Sequence, residues 1–347
     1  MVSVITIYYN RAEYVMESIQ SLLDQTYTDL EIIAVDDGST DNTLELLHSF
    51  SDPRLKVISH PNQGFVKSII SAVSLASHEI IAIHGSGDIS LPERIEKQVK
   101  VLEERPEIGV VGCYVANENM VSNESMISKP EIDKKIGISK QLLHMNIFLH
   151  GEVMFRKSIY LKAGGYRDYF KFAQDYDLWL RMSLYTEFAV VKEVLYNRFT
   201  LSDGVSASSS KISMQMYFAE VARQCFEQQS KGQKDIIQLH GVYCPYYRRR
   251  TKRLSSIFWR LSIVSLAQKD VEGSSYFNRL SINEKLSAQN TIFAALLVLL
   301  RKSKAIQGLA FLLFGRMNKY KRKANSTVAK NNRTRVLVGE SAELKKM

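Results

Sequence analysis

The sequence predicts an α/β fold: a Rossmann-like mixed or parallel sheet flanked by helices, followed by a C-terminal helical extension. Three observations carry this. Apolar, β-branched runs alternate with amphipathic helical patterns from the first residues onward, polar and acidic clusters recur where those runs end, and charge is divided sharply between front and back. A chain of 347 residues with 45% hydrophobic content has room for one sizeable domain and an appendage.

The first strand is read at residues 2–8 (VSVITIY), ending in Tyr9, Asn10 and Arg11. A helix over 12–25 places Tyr14, Val15, Ile19, Leu22 and Leu23 on one face. The β-branched run 30–35 reads as a buried parallel strand, and it stops at Asp36, Asp37, Gly38, Ser39, Thr40 and Asp41. These elements make a right-handed β-α-β unit with two polar strand ends side by side. Ligands collect at the carboxyl ends of strands in open α/β sheets, so the adjacent carboxylates mark a binding crevice. Asp, Ser and Thr are also good N-cap residues for the helix that follows from Thr43, and the pattern alone leaves both readings open.

A short strand at 55–59 leads through His60, Pro61, Asn62, Gln63 and Gly64 into a helix over 65–76. Lys67 stands in its first turn, where an ammonium can join backbone N–H groups around a pyrophosphate, or can be an ordinary surface lysine. A strand at 79–83 delivers His84, Gly85, Ser86, Gly87 and Asp88. Pro92 opens a helix over 91–104, and 109–115 reads as another buried strand. Residues 117–139 are polar and poor in pattern, a stretch unusual inside a domain unless functional or mobile. The second acidic cluster, Asp175 and Asp177, sits at the start of a helix containing Leu178, Trp179 and Leu180, and the spacing predicts a mostly buried Trp179.

Residues 1–244 carry 24 Lys and Arg against 31 Asp and Glu, whereas residues 245–347 carry 22 against 5. A basic tail of this kind implies an anionic partner, membrane or nucleic acid. Nucleic acid is not expected, because no stacking motif or recognised binding fold accompanies the charge. The apolar runs 291–300 and 305–314 are too short for a transmembrane helix, which needs roughly twenty residues. Flanked by Lys and Arg, they suit helices lying on an anionic membrane surface, or a hairpin packed on itself or on the first domain. The expected divisions are a first domain at 1–215, a basic helical extension at 216–323 and a disordered tail at 324–347. Three cysteines without metal-ligand spacing, and no secretory pattern at the N-terminus, point to a reducing, cytoplasmic setting at the inner face of the cell membrane.

Six blocks follow in order within residues 1–182: VSVITIYYNRAEYV, SLLDQTYTDLEIIAVDDGSTDNT, NQGFVKS, ISLPERIEKQVKVLEERPEIGVVG, VMFRKS and GGYRDYFKFAQDYDLWLRM. Together they resemble the family-2 glycosyltransferases of GT-A fold. The resemblance implies an inverting transfer from a nucleotide-sugar donor, UDP-type favoured, to a glycan or lipid-linked acceptor in cell-surface polysaccharide synthesis. It further implies Asp175 as the catalytic base and Asp177 as a brace of its helix. Tyr9 and Asp37 are implied at the nucleobase, and Lys67 and Asp88 at the diphosphate.

The chain departs from the family where an acidic Asp-x-Asp pair is usual, since Gly85 and Gly87 stand there and Asp88 is the only carboxylate of the stretch. Three readings follow. Asp88 holds Mg2+ or Mn2+ with help from phosphate and water; or Gly-Ser-Gly presents backbone amides to the phosphates; or catalysis is lost, leaving a glycosyltransferase-like nucleotide-binding subunit at the membrane.

Overall fold

The computed structural model describes residues 1–119, 124–200 and 208–304, with 306–308, 310, 311 and 313. The chain divides into two compact units, Met1–Ala207 with Met214–Arg248, and Ser208–Ser213 with Arg249–Met347.

In the first unit the apolar runs become β1 (Val2–Tyr8), β2 (Leu30–Asp36), β3 (Leu55–Ser59) and β4 (Ile80–Gly85), separated by α1 (Ala12–Leu23), α2 (Thr43–His48) and α3 (Phe65–Leu75). Then come β5 (Ile89–Ser90), α4 (Arg94–Glu104), β6 (Ile108–Asn119), β7 (Glu124–Ser128), α5 (Ile138–His144) and β8 (Met154–Arg156). The remaining elements are α6 (Lys157–Lys162), α7 (Gln174–Met182), β9 (Glu187–Thr200), α8 (Ser209–Gln229) and α9 (Ile236–His240). One mixed sheet runs β3-β2-β1-β4-β8-β6-β9-β5, with β7 added to β6. Strands β3, β2, β1 and β4 are mutually parallel, β8 is antiparallel to both β4 and β6, and β6 is parallel to β9.

The register matters for function. Tyr8 pairs with Asp36, and Ile7 with both Val35 and Gly85, so the turns after β1, β2 and β4 emerge abreast at one sheet edge. The antiparallel β8 brings the segment before it to the same edge, because Val153 accepts the Ile83 N–H at 2.9 Å. The main core cluster packs Ile5, Ile33, Ile83, Phe155, Phe170 and Trp179, among others, and Trp179 is fully buried as its spacing predicts.

The stretch 117–139 is more regular than its composition suggests. Strand β6 continues to Asn119, β7 pairs back on it from Ser128↔Val115 to Glu124↔Asn119, and α5 follows. Much of this lies on half-covered sheet, where strands need not show the apolar run that marks a buried one.

The second unit contains α10 (Lys252–Ala267), α11 (Val271–Glu284) and α12 (Ala288–Lys302), capped by the side chains of Thr251, Asp270 and Ser287. Its seam is built of small hydroxyls. Ser255 Oγ donates to the Ser281 carbonyl and Ser281 Oγ to the Ser255 carbonyl, each at 2.9 Å, while Asn290 Nδ2 donates to Ser281 Oγ at 3.1 Å. Small residues let α10 and α11 approach closely, and the reciprocal bonds satisfy the buried hydroxyls. Within the apolar run 291–300, Phe293, Leu297 and Leu300 are buried with Leu266, whereas Ile292, Val298 and Leu299 are exposed. No helix among the described residues is long and apolar enough to cross a membrane. The tail at 324–347 and part of the 305–314 run lie outside the described residues.

Replacing Ser281 by Leu overpacks this seam and strands the partner groups of Ser255 and Asn290. A loss of about 1–3 kcal/mol in urea unfolding is expected, whereas Arg260→Ala on the exposed face of α10 is expected to change stability by less than about 0.5 kcal/mol.

Candidate active site

The ends of β1 and β2 are clasped together. Asn10, at a left-handed φ of 52°, donates its N–H to Ser39 Oγ at 2.9 Å and accepts the Thr40 N–H on its side-chain oxygen at 2.8 Å. Asp36 is buried and accepts the Ser59 hydroxyl at 3.1 Å. Asp37 is buried as well. Its carboxylate accepts the N–H groups of Gln63 (2.9 Å) and Gly64 (3.0 Å) and the Ser68 hydroxyl (2.9 Å). Asp37 therefore shapes the loop entering α3 with both carboxylate oxygens engaged. Tyr9, by contrast, is exposed at the mouth of β1. Lys67 is exposed in the first turn of α3, 3.9 Å from the equally exposed Asp168, an ion pair worth little in water.

The turn after β4 is organised by a residue far away in sequence. Tyr196 of β9 donates its hydroxyl to Asp88 Oδ2 at 2.8 Å and accepts the Gly85 N–H at 2.8 Å, while Asp88 Oδ1 accepts the Phe199 N–H at 3.1 Å. Glycine permits a close approach at two places. A Cβ at Gly85 would collide with Asp88 Oδ2, and one at Gly151 would collide with the Tyr196 hydroxyl. Burial raises the Asp88 pKa above its ordinary value, against the lowering effect of Tyr196, the Phe199 N–H and the nearby Arg198 and Arg94. The Gly87 N–H is also engaged, donating to Ser18 Oγ at 3.2 Å.

Beneath this turn lies a buried polar layer. Arg94 donates to the Ile83 carbonyl and Ser90 hydroxyl, each at 2.7 Å, and to Gln98 Oε1 at 3.2 Å, with its guanidinium 4.8 Å from the Tyr196 ring centre. His84 shares hydrogen bonds with Ser18 and Ser90, and burial together with Arg94 pushes its pKa down to about 3, so it stays neutral.

The segment before β8 links this turn to the second acidic cluster. Gly151 lies against Gly85 and Tyr196. His150 shares a 2.7 Å hydrogen bond with the Tyr166 hydroxyl and meets the Phe65 ring edge-on at 5.6 Å. Burial lowers the His150 pKa, opposed by the nearby charge of Asp175. Glu152 is buried, with Oε1 accepting the Leu149 N–H at 3.0 Å and Oε2 without a hydrogen-bond partner. Its burial raises its pKa to about 8.

Asp175 occupies the first turn of α7 and accepts the Asn146 side-chain N–H at 3.0 Å. The preceding Ala173 adopts a left-handed φ of 54°, a conformation costing an alanine roughly 1–2 kcal/mol, and this sets the entry of α7. Asp177, two residues on, braces the helix. It bonds to Arg167 and, at 2.7 Å, to Arg181, which also donates to the Gly165 carbonyl at 2.7 Å.

The structure thus brings Asp88, Tyr196, Gly151, His150, Tyr166 and Asp175 into one continuous arrangement. Tyr9 stands just past the end of β1 and Lys67 in the first turn of α3, and Asp37 lies behind as a brace of the loop entering α3. Tyr196, Arg94 and Asn146 were not legible as site residues, because nothing local distinguishes them; His150 and Glu152 were legible by their place just before VMFRKS, on the expected acceptor side. The set does not fit a protein-held divalent cation. Both positions of the acidic pair are glycine, both Asp88 oxygens are engaged, and among the described residues no three His, Cys, Asp or Glu side chains converge.

Comparison with known proteins places this geometry. Residues 3–164 match the family described as glycosyl transferase family 2. An uncharacterized glycosyltransferase of Haemophilus influenzae is 34% identical over 196 residues, covering 53% of this chain and 60% of that protein. The O-antigen biosynthesis glycosyltransferase WbnJ of Escherichia coli is 34% identical over 186 residues, covering 52% of this chain and 71% of that protein. Hyaluronan synthase of Pasteurella multocida is 30% identical over 223 residues, 64% of this chain but only 22% of the synthase. Among solved structures, S. aureus TarS 1–349 in complex with UDP has a TM-score of 0.52 at 15% identity, covering 85% of this chain and 89% of that one. A mannosyltransferase of Pyrobaculum calidifontis in complex with GDP-Man and Mn2+ has a TM-score of 0.50 at 16% identity, covering 90% and 84%. At such identity these two structures speak for the fold alone. The sheet, the strand-end carboxylates and these matches agree: the chain belongs to glycosyl transferase family 2 and has the GT-A fold.

Proposed function

We propose that the protein transfers a sugar, with inversion, from a UDP-type nucleotide-sugar donor to a hydroxyl of a glycan or lipid-linked acceptor, in cell-surface polysaccharide synthesis. The observation that carries this reading is Asp175, fixed at the start of α7 by Asn146, beside His150 and Tyr166 at the carboxyl edge of the sheet. A carboxylate in that place serves as general base. It takes the proton of the acceptor hydroxyl as that oxygen attacks the anomeric carbon, and the nucleoside diphosphate leaves from the opposite face. Lys67, in the first turn of α3, supplies positive charge toward the departing diphosphate. Tyr9 offers a face to the base, and Asp37 holds the loop against which the base rests. The names of the O-antigen and hyaluronan relatives support a polysaccharide product, and the basic second unit supports a membrane-side acceptor. In this reading the glycosyltransferase domain proper covers residues 1–215 with α8 and α9 packed onto it in the same unit, and the protein works at the cytoplasmic face of the membrane.

A second reading, a non-catalytic glycosyltransferase-like subunit that binds nucleotide at the membrane, is favoured by one observation. The Gly85–Asp88 turn spends its Gly85 and Gly87 N–H groups and both carboxylate oxygens on its own fold. Turnover of a nucleotide sugar by the purified chain excludes it.

Asp175→Asn is expected to lower kcat by about 100-fold or more while leaving the donor KM within a few-fold, measured by nucleoside diphosphate release. Full activity in that variant removes Asp175 as the base. Because the residues do not supply a cation site, UDP is expected to raise the melting temperature equally with EDTA and with Mn2+ or Mg2+; a shift that requires metal returns Asp88 to that role. Glu152 provides a third test. Its folded pKa of about 8 stands above the ordinary carboxyl value of 4.5, so its contribution to stability is full below about pH 4.5 and is lost as pH rises through about 8. Glu152→Gln is expected to flatten this decline. By urea unfolding it should match the wild type near pH 5 and exceed it by roughly 2–4 kcal/mol at pH 9.

A further inference from the structure

The segment after α9 forms a 3-10 helix, Gly241–Tyr246, with an unusual surface. Cys244 points inward and is fully buried in the main core cluster, where the Tyr169 hydroxyl lies beside its thiol. A 3-10 helix has three residues per turn, so Tyr243 and Tyr246 align on one side. Val242 is 76% exposed, Tyr243 66% and Tyr246 87%, while Tyr247 stacks on His240 with ring centres 3.5 Å apart. Scattered exposed apolar residues are ordinary, but three large ones projecting from a single turn are not. Arg248, Arg249 and Arg250 follow directly in the chain.

We propose that this turn is a membrane-docking element that seats its tyrosines in the headgroup layer of an anionic leaflet. Three features favour lipid over other occupants. The side chains project outward, whereas a glycan is gripped in a concave site. Tyrosine couples an apolar ring to a polar tip and belongs at the water–lipid boundary. The arginine run supplies the charge that anionic headgroups attract. The turn is also firmly joined to the rest of its unit. Asp235, which caps α9, pairs with Arg167 at 2.6 Å, and Tyr169 meets Cys244, so the turn is fixed to the segment that leads into α7 and Asp175. A leaflet that takes the tyrosines therefore lies on the flank of the unit that carries residues 166–172. This inference rests on the membrane-side acceptor reading above and names the element that would serve it.

The test is co-sedimentation of the full-length chain with vesicles of phosphatidylcholine alone and of phosphatidylcholine with phosphatidylglycerol. Two variants are compared with the wild type: Val242→Ser/Tyr243→Ser/Tyr246→Ser, and Arg301→Gln/Lys302→Gln/Lys304→Gln in α12 and just beyond it. The wild type is expected to bind the anionic vesicles, the first variant at least tenfold more weakly at an unchanged melting temperature, and the second variant to retain most of the binding. Wild-type affinity in the first variant overturns the inference while leaving membrane association standing. A wild type that ignores anionic vesicles overturns both. Unchanged vesicle binding accompanied by lost affinity for soluble oligosaccharides reassigns the turn to glycan and also overturns the inference.

Discussion

The buried carboxylate of Asp177 is the constraint on which the candidate site hangs. Burial alone would push its pKa up, but Arg181 and Arg167 outweigh that effect and hold it below the ordinary value. Arg181 simultaneously satisfies carbonyls at Ala163 and Gly165, and Arg167 reaches on to Asp235. One charge thereby ties α7, the turn at 163–167 and the cap of α9 into a single body. Pairs of this kind add little net stability, because desolvation offsets attraction, yet loss of one partner leaves an uncompensated buried charge at a cost of about 3–5 kcal/mol. Its value here is positional: Asp175 stands two residues upstream on the same helix.

A different electrostatic arrangement supports the turn after β4. Arg94 is wholly buried and takes a carbonyl, a hydroxyl, an amide oxygen and an aromatic face as its partners. Asp88 and Glu152, both within its electrostatic reach, have raised pKa values, chiefly through burial. The charge of Arg94 is thus met by neutral acceptors and an aromatic face, within a layer whose acids are disfavoured as anions by burial.

Much of this architecture was legible before any coordinates. The β-α-β unit, the helix with Trp179 buried and the strand-end clusters follow from period, branching and turn residues, because those signals are local. The hairpin of β6 and β7 was not legible, since half-covered polar strands resemble loops in composition. Nor was the fate of Asp88, whose partner Tyr196 lies 108 residues away and carries no signature of its own. Asp37 shows the same limit in reverse: the acidic cluster was easy to find, but only the fold reveals that its carboxylate faces inward to a loop.

The paired glycines at 85 and 151 carry an evolutionary implication. The room that an aspartate at 85 would occupy is filled by the Asp88 carboxylate, and the room beside 151 is filled by the Tyr196 hydroxyl. A side chain at either position is admitted only if the facing tip, the Asp88 carboxylate or the Tyr196 hydroxyl, moves aside. Positions 85, 88, 151 and 196 are thereby coupled, and a larger residue at either glycine is tolerated only together with a rearranged or smaller partner at 88 or 196.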